Sequence, residues 1–204
     1  SGGGASVTLP TVNAVNLMPN TSGGLTKLGS GTLTLNGADT YAGNTVINAG
    51  KLIVTPAHQA TNSVTVTNGA AYGVQLTGGP ATVTNAAITL ASGATTLSFG
   101  LGTNGSTFTP LIVCGPLTNN GTLTVALGGN VAKMSVGSVI PLLKYSGTIQ
   151  GGGSLNPVIA GPQGSSITLS NSAANSTLYA VVNSLGAGIV WTGTNANPAL
   201  TNLW

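Results

Sequence analysis

The chain has 204 residues and almost no ionisable side chains: Asp39 is its one acidic residue, four residues are lysine, and arginine is absent. Hydrolytic, phosphoryl-transfer and metal-assisted mechanisms bring several acidic, basic or cationic groups to one site, so this composition argues against an enzyme, a cofactor or a bound metal. Nucleic-acid binding is excluded on the same ground, because it depends on clustered lysine and arginine.

Hydrophobic residues make up 41% of the chain, which is enough for a core and too much for ordinary disorder. A nearly neutral, ordered chain lacks the charge repulsion that keeps monomers apart, so we expect it to associate with copies of itself. No apolar run is long enough to cross a bilayer, and we expect no membrane span.

In chain order, the first predicted unit is residues 1–24, an extended lead that opens with a glycine-rich stretch. An extended segment of this kind is able to pair as a strand with a neighbouring molecule. The residues predicted for a possible inter-subunit contact are Val7, Leu9, Val12, Val15 and Leu17 in the lead, and Trp191 and Trp204 near the other end of the sequence.

Residues 25–185 are predicted to consist of strands, because the helix formers are nearly missing and Thr, Val, Ile and Leu alternate with a period of two. The clearest runs are residues 32–35, 64–67, 88–90 and 122–125. Asn and Gly between the runs accept positive φ at little cost and mark turns. The fold class is therefore all-β.

Two architectures use such strands, a parallel β-helix and an antiparallel β-sandwich. Asn-centred turns at Asn48, Asn68 and Asn85 recur at intervals of roughly 17 to roughly 20 residues, which is close to the length of one coil of three short strands. This spacing favours a β-solenoid over residues 25–185, with an antiparallel sandwich as the alternative for part of the chain.

A family resemblance rests on residues 25–54. Their order of glycines, leucines and a tyrosine resembles the autotransporter-associated β-strand repeat, also called the passenger-associated transport repeat. The matching residues are Gly29, Gly31, Thr32, Leu33, Leu35, Gly37, Thr40, Tyr41, Gly43, Gly50 and Leu52. The resemblance implies a right-handed parallel β-helix in a bacterial protein that is secreted or anchored at the cell surface.

Two later segments resemble large secreted proteins that carry this repeat. Residues 141–149 with residues 175–179 are similar to their downstream part, and residues 186–204 resemble a C-terminal extension or the opening of a further unit.

Few side chains are candidates for chemistry. Asp39 is expected to be a turn residue and His58 to lie in an exposed loop, and no nucleophile motif accompanies them as a catalytic triad would require. Lys27 and Lys51 are expected to be solvated charges that deter edge pairing, with an isopeptide bond to an Asn as the alternative. Cys114 lies in an apolar run and is expected to be a core residue.

The sequence therefore predicts a secreted, extracellular or cell-surface structural protein without catalytic residues. Its subunits are expected to form a fibre or surface layer through edge pairing or strand exchange with further copies. The alternative function is an adhesin or passenger segment that binds glycans or surfaces through exposed aromatic residues, for which Tyr179, Trp191 and Trp204 are candidates.

Overall fold

The computed structural model describes residues 5–8, 11–15, 23–102, 110–128, 134–155, 159–160 and 164–186, and in these residues all regular structure is β-strand. Alternating Thr, Val, Leu and Ile produce short strands with one buried face and one exposed face, as in Lys51–Val54. The strands form three sheets.

Sheets A and B run the length of the stack. Sheet A has the spatial order β1 (Ala5–Thr8), β3 (Leu25–Leu28), β5 (Thr45–Ile47), β7 (Ser63–Val66), β10 (Ala87–Leu90) and β13 (Leu117–Asn119). Sheet B has the order β2 (Thr11–Val15), β4 (Thr32–Leu35), β6 (Lys51–Val54), β8 (Ala71–Gln75), β11 (Ala94–Gly100), β14 (Thr122–Gly128) and β16 (Ile159–Ala160). All pairing in both sheets is parallel.

Sheet C begins later in the chain. Its order is β9 (Val83–Asn85), β12 (Ile112–Cys114), β15 (Val139–Lys144), β18 (Thr177–Ser184) and β17 (Ser166–Ser172). The first three strands are parallel, whereas β18 pairs antiparallel with both β15 and β17. The antiparallel part is therefore a terminal hairpin of this sheet and not the β-sandwich that the sequence left open.

The chain visits the sheets in turn and forms coils, as expected for a parallel β-helix. We number them as coil 1 (β1, β2), coil 2 (β3, β4), coil 3 (β5, β6), coil 4 (β7 to β9), coil 5 (β10 to β12) and coil 6 (β13 to β15). Single bridges from Thr118 to Gln150 and from Thr122 to Ser154 begin a seventh coil. The right-handed sense of the coil stays a prediction.

Coil length grows along the chain. Leu25 pairs with Thr45 and Thr45 with Val64, so coils 2 and 3 each span about 20 residues, a usual length for one repeat of a solenoid. Val64 pairs with Ile88 and Ile88 with Leu117, so coil 4 spans about 24 residues and coil 5 about 29 residues. The predicted interval therefore fits coils 2 and 3, which hold two strands each, and is wrong for the later coils, where a third strand and longer connections are added.

Inward side chains stack into columns that form one continuous core. In sheet B one column consists of Leu33, Leu52, Tyr72, Leu97 and Val125, all buried. Each coil covers the apolar face of the next one, which a single coil could not bury alone. Asn85, predicted as a corner, instead ends β9 inside the core and accepts a hydrogen bond from the Tyr72 hydroxyl at 3.2 Å.

The predicted lead, residues 1–24, contributes strands to the stack. Its two strands pair in parallel with their neighbours in coil 2, Ala5–Thr8 with Leu25–Leu28 and Thr11–Val15 with Thr32–Leu35. The predicted boundary at residue 25 thus falls between the first and second coils. Of the predicted C-terminal extension, 186–204, the structure describes residue 186.

Candidate functional site

The repeat segment, residues 25–54, forms coils 2 and 3. Leu33, Leu35 and Leu52 point inward and are buried, as the alternation predicts. Thr32 begins β4 and Gly31 precedes it at the corner, where the carbonyl oxygen of Gly31 accepts a hydrogen bond from the Lys51 amide at 3.1 Å. The motif residues of this half therefore build the corner and the core face of one coil.

Two glycines of the motif occupy equivalent corners between sheets A and B. Gly29 and Gly50 have φ values of 73° and 67°, in the left-handed region that side chains disfavour. A Cβ on Gly50 would also lie against the carbonyl oxygens of Gly29 and Gly31 in the preceding coil. The close stacking of these corners explains why the repeat needs glycine here.

The remaining motif residues lie in the return segment between β4 and β5. Gly37 and Thr40 belong to its connection, and the Gly43 amide donates to the Gly23 carbonyl oxygen at 2.9 Å. Tyr41 is only 5% exposed, and its hydroxyl lies 2.7 Å from Thr45 Oγ1. Tyr41 therefore packs inside the coil.

Lys27 is an inward-facing member of β3, with 1% of its surface exposed. Its Nζ donates to the carbonyl oxygens of Leu28 at 2.6 Å, Gly29 at 2.7 Å and Ala49 at 3.2 Å. Burial lowers the pKa of this ammonium group, and the three carbonyl dipoles replace the water it has lost. The prediction of a solvated charge is therefore wrong, and the ammonium group ties the corner of coil 2 to that of coil 3.

Lys51 differs from Lys27. It lies partly buried on the outer face of sheet B and donates to Ser98 Oγ at 2.8 Å, two coils away. The described contacts of Lys27 and Lys51 are with carbonyl and hydroxyl oxygens and include no Asn side chain, so they do not support the isopeptide alternative.

Asp39 and His58 form a buried pair, with His58 Nδ1 and Asp39 Oδ2 3.4 Å apart. The two residues are 0% and 7% exposed, so the expectation of an exposed loop around His58 is wrong. They meet because they are one coil apart: the Gln59 amide donates to the Asp39 carbonyl oxygen at 3.1 Å. Their separation of 19 residues, which matches the length of one coil, was the signal in the sequence.

A chain of hydrogen bonds extends beside this pair. Thr45 Oγ1 bonds to Tyr41 and donates to Asn62 Oδ1 at 3.3 Å, and Asn62 Nδ2 donates to the Gly43 carbonyl oxygen at 2.8 Å. The His58 ring lies 5.7 Å from the Tyr41 ring, centroid to centroid. This polar cluster, defined as Asp39, Tyr41, Thr45, His58 and Asn62, links coil 2 to coil 3 through side chains.

The environment of the polar cluster shifts two pKa values. Burial lowers the pKa of His58 below its usual 6.5, and the contact with Asp39 opposes this shift. Burial raises the pKa of Tyr41, against the hydrogen bonds to Thr45 and Asn62. A cavity of about 210 Å³ lies next to Tyr41 and Asn62. The arrangement suits a neutral imidazole that holds two coils together.

The polar cluster contains the Asp and the His of a catalytic triad, but its described contacts include no serine or cysteine that could act as the nucleophile. His58 contacts the Asp39 carboxylate and the Tyr41 ring, and the Thr45 hydroxyl is engaged by Tyr41 and Asn62. Within the described ranges, no group of three or more His, Cys, Asp or Glu residues could hold a metal ion. The same residues contain no helix that is long and apolar enough to cross a membrane.

Cys114 is a buried member of β12, and burial raises the pKa of its thiol to about 12. The thiol is therefore protonated at neutral pH and shielded from reagents, as expected for a core cysteine.

Among the described strands, β1 and β2 are the first strands of sheets A and B. Val7, Val12 and Val15 lie in these strands. The other predicted inter-subunit residues, Leu9, Leu17, Trp191 and Trp204, lie outside the described residues. At the opposite end, sheets A and B continue as the parallel seventh coil, whereas sheet C is reversed by the β17–β18 hairpin.

Comparisons with known proteins bear on coils 2 and 3. The sequence model of the passenger-associated-transport-repeat family matches residues 25–54. No curated protein and no solved structure gave a match to the chain. The matched segment holds the four strands of coils 2 and 3, the corners at Gly29 and Gly50, and buried Lys27. It includes Asp39, Tyr41 and Thr45 of the polar cluster, whereas His58 and Asn62 follow it. Residues 25–54 are therefore similar to the passenger-associated-transport-repeat family, within an all-β chain of stacked parallel strands.

Proposed function

We propose that this chain is a secreted structural protein, displayed outside the cell or at its surface, whose β-helix is a subunit of a self-assembling fibre or surface layer. The passenger-associated transport repeat at residues 25–54 supports the extracellular placement. The stability of such a stack depends on main-chain hydrogen bonds and apolar columns, which change little with the salt and pH of an external medium.

The observation that carries the proposal is the arrangement of the end strands. Within sheets A and B all pairing is parallel from β1 and β2 to the last coil, so a second molecule placed end to end would continue the same hydrogen-bond ladder. An end strand offers unpaired amide and carbonyl groups that act as a template for another strand. The proposed contacts are therefore β1 and β2 of one copy against the seventh coil of the next.

The charge of the chain supports the same assembly. With five charged side chains in 204 residues, of which Lys27 is buried and Lys51 is bonded to Ser98, little repulsion opposes contact between ends. Sheet C does not continue in this direction, because its hairpin reverses the strand, and we assign it no part in the fibre contact.

The proposal includes the absence of catalysis. The Asp39–His58 pair is buried, and its described contacts serve to join two coils. Replacement of His58 by Gln would test this point, because an enzyme that used the imidazole would lose turnover of any candidate substrate, whereas a scaffold would change only in stability.

The assembly is tested by negative-stain microscopy and light scattering of the purified chain at low and at high salt. We expect filaments in both conditions, because a main-chain ladder is not screened by ions. The double substitution Val7→Pro and Val12→Pro removes amide donors from both end strands and should abolish the filaments.

Gly78→Ala is the matched control, since Gly78 lies in a connection where an added Cβ would meet nothing within 4 Å. It should form filaments like the parent chain. A particle of monomer mass at every protein concentration, in both salts, would refute the fibre and leave a single rod as the functional unit.

The second candidate function is an adhesin or passenger segment that binds glycans. It is supported by a cleft beside Tyr179 on the outer face of sheet C, whose lining is described next.

A further inference from the structure

A cleft of about 520 Å³ opens on the outer face of sheet C. It lies between the end of β15, the turn of the β17–β18 hairpin and the connection that leads into β12. Its lining includes Pro110, Pro141, Lys144, Asn175, Thr177 and Tyr179. Its volume lies within the range of small-molecule sites.

Strand pairing fixes the order of the side chains along the cleft. Tyr179 pairs with Pro141 on one side and with Ser170 on the other, and Thr177 pairs with Lys144. The neighbours Leu178 and Ala180 point into the core and are buried, so Thr177 and Tyr179 share the outer face about 7 Å apart. This distance is close to the width of one sugar ring.

The two halves of the cleft differ in chemistry. Tyr179 is partly exposed and, with Pro141, forms an apolar surface on which the face of a sugar ring can lie. At the other half, Thr177 Oγ1 donates to the Asn175 carbonyl oxygen at 2.9 Å, which fixes the turn and keeps exposed Asn175 at the rim. Thr177 is only 3% exposed, so the polar group offered beside the aromatic surface is the exposed Asn175 side-chain amide, which can bond the hydroxyl groups of a saccharide.

Charge narrows the class of saccharide. The structure describes the side chains of three lysines: Lys27 is buried against carbonyl oxygens, Lys51 is partly buried on Ser98, and Lys144 is exposed at the cleft. The cleft thus combines the aromatic surface with the ammonium group of Lys144, the exposed lysine among the described side chains. A carboxylate on the ligand is the group that would pair with it.

We propose that this cleft binds an acidic saccharide, with one sugar ring against Tyr179 and a carboxylate on Lys144. This inference deepens the second candidate function and rests on it, and it is independent of the fibre contact, which lies at the ends of sheets A and B. The hairpin that stops sheet C from continuing also forms one wall of the cleft.

The test uses the full chain with tri-galacturonate as the acidic probe and maltotriose as the neutral one, by saturation-transfer NMR and calorimetry. We expect tri-galacturonate to bind with a Kd up to about fivefold lower than that of maltotriose, since one added ion pair at an exposed site contributes up to about 1 kcal/mol. Lys144→Gln should remove this preference.

The aromatic half is tested by Tyr179→Ala, which should weaken both probes about tenfold, while Tyr179→Phe keeps the ring and should leave binding unchanged. Lys51→Gln is the matched control for charge and should not alter either Kd. If Tyr179→Ala unfolds, the exposed Lys144→Gln variant and the Tyr179→Phe variant still carry the test.

The absence of saturation transfer from the protein to tri-galacturonate at about 10 mM, where even weak saccharide binding is visible, would overturn the proposal. Equal binding by the parent chain, Lys144→Gln and Tyr179→Ala would overturn it as well. Either result leaves the filament experiment untouched, and loss of filaments with binding retained would remove the fibre proposal alone.

Discussion

Gly50 offers the sharpest test of how the coils stack. Its φ is +67°, and an added Cβ would press on the carbonyl oxygens of Gly29 and Gly31 in the coil below. Those two oxygens already accept hydrogen bonds from Lys27 Nζ at 2.7 Å and from the Lys51 amide at 3.1 Å. Gly50→Ala therefore strains its own backbone and displaces two hydrogen bonds, one within coil 2 and one between coils 2 and 3.

The magnitude follows from two contributions. A left-handed alanine costs about 1–2 kcal/mol, which the reduced freedom of the unfolded chain offsets by about 0.4–1 kcal/mol. Overlap with backbone that cannot rotate away adds about 1–3 kcal/mol. We expect Gly50→Ala to lower the free energy of unfolding by about 3 kcal/mol, the middle of the roughly 1–5 kcal/mol to which these terms sum.

Two other glycines separate these contributions. Gly69 occupies the equivalent corner of coil 4 with φ of +77°, but an added Cβ there meets nothing within 4 Å. Gly69→Ala should therefore cost about 1 kcal/mol from φ alone. Gly78 has neither constraint, and Gly78→Ala should change stability by less than about 0.5 kcal/mol. Urea unfolding followed by far-ultraviolet circular dichroism measures all three, and equal losses for Gly50→Ala and Gly69→Ala would refute the close-stacking argument.

Three further predictions concern buried side chains. Lys27→Met leaves three corner carbonyl oxygens without their donor and should lower the free energy of unfolding in urea by about 2–4 kcal/mol. Lys51→Met loses one hydroxyl contact and should lower it by less than about 1 kcal/mol. Similar losses for the two variants would contradict the argument that Lys27 holds the corners of coils 2 and 3 together. Burial lowers the folded-state pKa of His58, so its contribution to the free energy of unfolding is fully present above pH 6.5. This contribution falls as the pH drops below 6.5, by up to about 1.4 kcal/mol per pH unit, until the imidazole of the folded chain also titrates. His58→Gln should flatten the change of unfolding free energy with pH between pH 7.5 and 5.5. An unchanged slope would show that another group causes the pH dependence. Cys114 should resist a thiol reagent at pH 8 in the native chain and react fully in urea, since its thiol is buried with a pKa of about 12; rapid native labelling would show that coil 5 opens.

The sequence predicted the strands and the coil architecture because alternation is a local signal. Leu33 and Leu35 alternate with Thr in the run at residues 32–35, which predicts one inward face, and both are buried. Lys27 occupies the same face of its strand as Leu25. In the sequence, the general rule that lysine is solvated nevertheless outweighs this alternation, because the carbonyl oxygens that hold the Lys27 ammonium group include one from another coil.

Contacts between coils could not be predicted without the coil length. Asp39 and His58 are 19 residues apart and meet only if one coil has that length, which later coils do not keep. The reversal of sheet C at β18 was also beyond local patterns, since Thr177–Ser184 reads as an ordinary strand whichever way it pairs. The cleft depends on that reversal and was for this reason invisible in the sequence, although Tyr179 itself had been singled out.

Coil length increases along the described part of the stack. A coil of about 20 residues, such as coil 2, would release a contour length of about 65 Å if it were pulled out whole, and a coil of about 29 residues would release about 95 Å. Each coil is held mainly by its immediate neighbours. Under tension along the axis, the early coils would therefore release short lengths of chain and the later coils longer ones. The mechanical response of the protein thus depends on which end is pulled, even though its surface carries almost no charge.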